Sequence, residues 1–151
     1  MKIKYLILIQ IVLFFVLVGC AGKNIDVEKV NSQINVFGVQ LFSDVDYKEI
    51  NGVKAVEEPC LKGYERNFDA LDLTIGYGFD KRIRRITTRN PNTSMFGVRP
   101  GTTFVECKQI ILGTGFAEYK PPYIFSFNGC ILTFLVDAQN NIFGLTLQRM
   151  D

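Results

Sequence analysis

The chain contains no histidine and four cysteines, Cys20, Cys60, Cys107 and Cys130. Without an imidazole there is no Ser-His-Asp or Cys-His pair and no His-ligated metal. Thiols carry much of the remaining chemistry. Their spacing has no CxxC, so no metal site is expected. Cys107 and Cys130 each fall on the apolar side of an expected element. Two readings follow, a helix-to-sheet disulfide or two buried thiols. Cys60 follows Pro59 in what reads as a loop and is the odd thiol, with Lys62 the one nearby cation to activate it. Glu57-Glu58, the one adjacent acid pair, has no nucleophile motif beside it and reads as solvated carboxylates. There is no Walker loop, GxGxxG or GxSxG. The expectation is a protein that is not an enzyme and uses no cofactor.

Two segments could instead recognise a partner. Lys81-Arg82-Ile83-Arg84-Arg85, with Asp80 before it and Arg89 beyond, concentrates charge. Arg82, Arg84 and Arg85 could hold phosphate headgroups, a polyanion or an acidic protein patch. The plainer reading is a solvated edge strand whose charges block unwanted pairing. Phe116, Tyr119 and Tyr123 surround Pro121-Pro122 in an aromatic loop. Exposed, it would anchor a partner; packed down, it would close the end of a sheet.

The elements that must position these residues are legible from alternation and turn chemistry. Thr103-x-x-Glu106 has capping-box spacing and predicts a helix to Leu112, stopped by Gly113, with Phe104, Cys107 and Ile111 on one face. Strands follow at 123–127, 130–136 and 142–147. Their inward sets are expected to be Tyr123, Phe125 and Phe127; then Cys130, Leu132, Phe134 and Val136; then Phe143, Leu145 and Leu147. Asn128-Gly129 predicts a two-residue hairpin.

This plan repeats. Phe37-Gly38-Val39 recurs as Phe96-Gly97-Val98, and Leu73-Thr74, Ile83 and Thr87 recur at the same offset of 59. Tyr64 and Phe68 match Tyr123 and Phe127. Residues 36–92 against 95–151 share 9 identities in 57. In the first copy Ser43-x-x-Asp46 is expected to cap a helix, with Phe42 and Tyr47 as its staple and Asn51-Gly52 as its end. Leu71, Leu73, Ile75 and Tyr77 should face inward. The expected fold is α+β: two repeats, 36–92 and 93–151, each a short helix followed by a three-stranded antiparallel meander. They would join as a six-stranded sheet or pack face to face, and a unit this small favours one shared core.

Residues 1–19 differ from the rest. Lys2 and Lys4 precede an apolar run from Tyr5 to Val18 that is broken only by Gln10, too short for the ~20 residues of a spanning helix. The run ends in Leu17-Val18-Gly19-Cys20, which resembles the lipobox of bacterial lipoproteins. That resemblance implies a signal peptide cleaved before Cys20, a lipidated Cys20 as first mature residue, and a membrane anchor outside the cytoplasm. In a Gram-negative cell Ala21 would imply the periplasmic face of the outer membrane; in a Gram-positive cell the site would be the outer face of the plasma membrane. The whole chain has 17 basic and 15 acidic residues, and without Lys2 and Lys4 the remaining 132 residues are neutral. Global charge then gives no argument for nucleic acid. Residues 20–35 are expected to be the lipidated Cys and a tether, either flexible or with Val27, Val30 and Ile34 on one helix face.

Val98-Arg99-Pro100-Gly101-Thr102-Thr103-Phe104-Val105, followed by Leu112-Gly113, resembles the helix start and stop of SmpA/OmlA (BamE-like) lipoproteins. Tandem versions resemble the β-lactamase-inhibitor-protein fold. The resemblance implies a scaffold or inhibitor that works through its surface. The expected function is a lipid-anchored binding or scaffold lipoprotein of the cell envelope with an unknown protein partner. The alternative is a tethered inhibitor or immunity protein against an exported enzyme or toxin.

Overall fold

The computed structural model describes residues 25–150; Cys20 and the apolar leader lie outside them. Among the described residues there are two α-helices, α1 (Val27–Asn31) and α2 (Phe104–Gly113). The strands are β1 (Ile34–Asn35), β2 (Glu49–Ile50), β3 (Val53–Lys54), β4 (Val56–Cys60), β5 (Gly63–Phe68), β6 (Leu73–Gly78), β7 (Ile83–Thr88), β8 (Ser94–Met95), β9 (Ala117–Lys120), β10 (Ile124–Phe127), β11 (Cys130–Val136) and β12 (Ile142–Arg149). Eight of them form one antiparallel sheet in the order β4-β5-β6-β7-β12-β11-β10-β9.

Alternation places one row of side chains straight across five strands: Ile75, Ile86, Leu147, Leu132 and Phe125 are successive ladder partners. All five are fully buried and belong to a single hydrophobic cluster. Each contributes about 1.5–3 kcal/mol by leaving water. The opposite sheet face is polar across β5, β6 and β7 and carries Ile124, Ile131 and Leu135 on its other flank. There Thr74, Thr87, Thr146 and Thr133 form the matching row, and the Thr87 and Thr146 hydroxyls hydrogen-bond at 3.0 Å.

The offset of 59 appears in the backbone. Thr87 pairs with Thr146 and Asn35 with Ser94, each residue opposite the one 59 positions on. The register shift at Gly76/Tyr77 has its counterpart at Leu135/Val136. Phe37-Gly38 and Phe96-Gly97 adopt matching positive φ values of 52 and 75°, and 53 and 80°. The offset fails at β5. Asn67 faces Thr74, whereas it is Ile124 that faces Thr133. The first hairpin closes through residues 69–72 and the second through Asn128-Gly129 alone, so the match of Tyr64 and Phe68 with Tyr123 and Phe127 is not a structural one.

The expected layout of a helix and three strands, twice, is not what the chain forms. Each half contributes four strands to the sheet, because β4 and β9 were not legible as strands, and only the second half has the expected helix. There Thr103 caps α2 by accepting the Glu106 N–H at 3.4 Å, and Cys107 and Ile111 are buried. In the first half residues 41–48 form an irregular loop whose backbone is used by its neighbours. Phe42 N donates to Ile83 O and Ile83 N to Ser43 O, both at 2.8 Å, while Tyr47 N donates to the Tyr77 hydroxyl at 3.0 Å. Ser43 Oγ accepts from Val45 N as a local turn. Asn51-Gly52, read as a helix stop, is instead the turn of the β2–β3 hairpin, with φ of 49 and 80°.

Two residues expected inward are exposed, Tyr123 at 38% and Phe143 at 45%. The register shift makes Phe143 the extra residue between Ile142, opposite Val136, and Gly144, opposite Leu135. A bulge turns one side chain to the other face, and Phe143 lies under the Arg89 guanidinium, 5.8 Å away. Arg84 holds the corresponding place in β7, which pairs with both β6 and β12 and so is a central strand, not an edge. The segment before β1 docks on the domain. Val30 is fully buried, and the Asn31 side-chain amide donates to Leu41 O and accepts from Leu41 N. Residues 25–35 are therefore not a free tether.

Candidate functional site

Two glycines of β6 open a pocket on the polar side of the sheet. A Cβ at Gly78 would sit 2.7 Å from Asp80 Oδ1 and 3.2 Å from Arg84 Cγ. One at Gly76 would sit 3.2 Å from Arg85 Cβ. Their absence lets the long side chains from the next strand lie across β6. The result is an open pocket of about 610 Å³, lined by Cys60, Lys62, Glu65, Phe79, Arg84, Arg85, Gln148 and Arg149 among others.

The guanidinium groups are positioned by carboxylates. Arg84 pairs with Asp80 and Arg85 with Glu65. The Arg84 hydrogen bond holds the Asp80 carboxyl below the usual range. Arg85 Nε is buried and has no hydrogen-bond partner among the described residues. With Lys62 and Arg149 there are four cations against Glu65 and Asp80 around the pocket, which favours anions with planar or tetrahedral oxygens. Phe79 on the rim is 82% exposed and adds an apolar edge.

The sequence-stated candidates separate. Arg84 and Arg85 line this pocket, and Arg82 is exposed in the turn beside it. The aromatic loop does not act as one unit. Phe116 is 4% exposed, stacked on Phe127 at 5.0 Å and edge-on to Phe96 at 4.7 Å, so it belongs to the core and is no surface anchor. Tyr119 and Tyr123 stay accessible, at 46 and 38%. Tyr119 lies in β9, one of the sheet's two outer strands, whose four residues are all exposed, and Tyr123 lies in the turn that follows it. Lys108 on α2 holds that strand through Glu118 at 2.6 Å.

Cys107 and Cys130 are both buried free thiols, so the helix-to-sheet disulfide is not formed. Burial pushes each of them up to about 11. Cys60 is also free and half-buried; it ends β4, where Pro59 is tolerated because the strand lies at the sheet edge. Under non-denaturing conditions iodoacetamide should therefore modify Cys60 well before Cys107 and Cys130, and denaturant should make all three react. Rapid native modification of Cys107 or Cys130, followed by peptide mass, would contradict the burial.

Sequence reasoning located the arginines but missed Gly76, Gly78, Phe79, Gln148 and Arg149. The Gly-x-Gly of β6 was the available signal. Lys81 shows a second one. It has φ 61°, matching Asn140 at φ 62° in the other half, and the left-handed region suits Asn better than Lys. Lys81→Asn should raise unfolding free energy by about 0.5–1 kcal/mol, read by urea denaturation.

The described residues contain no helix long and apolar enough to cross a membrane, and no cluster of three or more metal-ligating side chains. Compared with protein-family models, curated proteins and solved structures, the chain has no match.

Proposed function

We propose that this chain is a lipid-anchored, extracytoplasmic binding or scaffold protein of the bacterial envelope, acting without catalysis or cofactor. One observation carries the binding role: the polar face of the sheet presents an open, cation-lined pocket of about 610 Å³ whose arginines are pre-positioned by Asp80 and Glu65. Pre-positioned guanidinium groups lose little freedom on engaging an anionic partner. The anchor rests on Leu17-Val18-Gly19-Cys20 and the charged, apolar run before it. The two halves are a tandem duplication of one β unit, as the shared register and bulge support, in the manner of the BamE-like and inhibitor-like proteins that the sequence resembles. The membrane face would follow the cell type, as the lipobox resemblance implies.

A second reading, a tethered inhibitor or immunity protein, is favoured by Tyr119 and Tyr123 beside the exposed strand β9, since aromatic side chains dominate interface energetics.

Two measurements test these readings. The N-terminal peptide of the mature protein should begin at Cys20 and carry acyl mass, and Cys20→Ser should leave unprocessed precursor; an unmodified Cys20 in the wild type refutes the anchor. Affinity capture from envelope extract should recover a stoichiometric assembly that Arg84→Glu with Arg85→Glu releases. Recovery of a soluble enzyme or toxin that Tyr119→Ala releases would favour the inhibitor reading.

A further inference from the structure

One end of the sheet gathers features that the pocket alone does not explain. The β4–β5 turn (61–62), the β6–β7 turn (79–82) and the β10–β11 turn (128–129) all close at that end. Arg149 at the end of β12 is there too, opposite Cys130. The first described residues reach the same end of the sheet, at its β10–β11 turn. A Cβ on Gly129 would run into the Ile25 side chain, Asn128 Nδ2 donates to Asp26 O at 3.5 Å, and the Lys29 ammonium lies 5.3 Å from the Phe127 ring.

We propose that this end is seated on the membrane, with Lys62, Lys81, Arg82, Arg84 and Arg149 taking the phosphate headgroups of an anionic bilayer and Leu61 and Phe79 entering its interface. The inference rests on the proposed anchor at Cys20. Five residues on from Cys20 is Ile25, and an extended chain of that length spans at most ~18 Å. The docking of Ile25 therefore keeps this end of the sheet close to any lipid on Cys20. The two most exposed large apolar side chains among the described residues are at this end, Leu61 at 99% and Phe79 at 82%. Such side chains gain by entering the headgroup–acyl boundary. Lys62, Lys81, Arg82, Arg84, Arg85 and Arg149 stand there with Asp80 and Glu65, and Asp26 lies beside Asn128; the opposite end carries Asp69, Asp72 and Asp137 with Arg89. Near an anionic surface each added cation raises partitioning about fivefold.

The internal correspondence shows that the fold does not require these charges. Offset by 59, Lys81-Arg82-Ile83-Arg84-Arg85 becomes Asn140-Asn141-Ile142-Phe143-Gly144, on matching backbone and at the other end of the sheet. The same turn and bulge form there without any of those cations. Of the two corresponding segments, only the one at the end that holds Ile25 carries this run of cations.

The test uses full-length protein, purified after expression in a bacterium and reconstituted into vesicles of phosphatidylcholine with phosphatidylglycerol and a headgroup-nitroxide lipid. In a Cys60→Ser background a fluorophore is placed by Leu61→Cys, Phe79→Cys or, at the far end, Gln139→Cys. Strong quenching is expected at 61 and 79 and little at 139. Lys81→Glu with Arg82→Glu should reduce quenching at 61 at least threefold, as should vesicles of phosphatidylcholine alone. Equal quenching at 79 and 139, or quenching at 61 that ignores both changes, overturns the proposal. So does loss of quenching on adding inorganic phosphate, which would make the cationic end a site for a soluble anion. The acyl mass of Cys20 in the same sample separates the two readings. Acylated protein without the quenching pattern sinks the seat and leaves the anchor; the pattern without acylation leaves the seat and sinks the anchor.

Discussion

Leu147→Ala should lower the unfolding free energy by about 3–4 kcal/mol and the melting temperature by about 10–15 °C. Leu147 is fully buried. It pairs with Ile86 on one side and Leu132 on the other, in the middle of the five-residue row that joins the two halves. Truncation removes transfer energy and leaves a cavity that two flanking strands cannot collapse without losing register. The same change at Leu112, 42% exposed on α2, should cost under about 1 kcal/mol. Urea unfolding of both variants decides the matter. Equal costs would mean that the β7–β12 seam is not the centre of the core.

The second large effect concerns Arg66. Its side chain is 9% exposed, with Nε 2.8 Å from Asp46 Oδ1 and a terminal nitrogen 2.8 Å from Glu57 Oε2. Its guanidinium carbon lies 5.4 Å from the centre of the Tyr64 ring, which is stacked on Tyr77 at 4.7 Å. Tyr77 in turn donates to Val45 O at 3.1 Å, and burial pushes its hydroxyl up to about 12. Together these groups fasten the 41–48 loop to the sheet. Asp46→Ala with Glu57→Ala leaves a buried guanidinium without its carboxylates and should cost about 2–3 kcal/mol, below the full buried-pair penalty because both acids are partly exposed. Adding Arg66→Met should recover most of that loss, since no charge is then stranded. A triple variant as unstable as the double, measured by the same denaturation, would show that lost packing and not the stranded charge sets the cost.

Several elements could be read without tertiary information because their signals are local. Thr103 and Glu106 define the start of α2, and Asn128-Gly129 specifies a tight hairpin. The alternation of Cys130, Leu132 and Phe134 specifies β11 and its buried face. Each depends on atoms a few residues apart. Glu57-Glu58 shows the opposite case. It read as solvated acid, and only the folding of β4 against β5 brings Glu57 to Arg66.

The candidate site divides the same way. The arginine run was visible in sequence, and its placement was not. Arg84 and Arg85 form a pocket because Gly76 and Gly78 on the neighbouring strand leave room for them. Phe116 was legible as aromatic, with an exposed and a packed reading both open, and Phe96 and Phe127, which bury it, come from other elements.

By itself the sequence determined the chemistry available to this protein: no imidazole, a lipobox-like Cys20, a cationic run, and the offset of 59. Tertiary structure decided which of those residues meet. Capping and turn preferences are set within a few residues, so they survive in a linear reading. Whether residues 41–48 wind into a helix or give their N–H and C=O groups to Ile83 and Tyr77 depends on partners 30 or more positions away. A capping pattern alone cannot outweigh those bonds once the core has drawn the strands together.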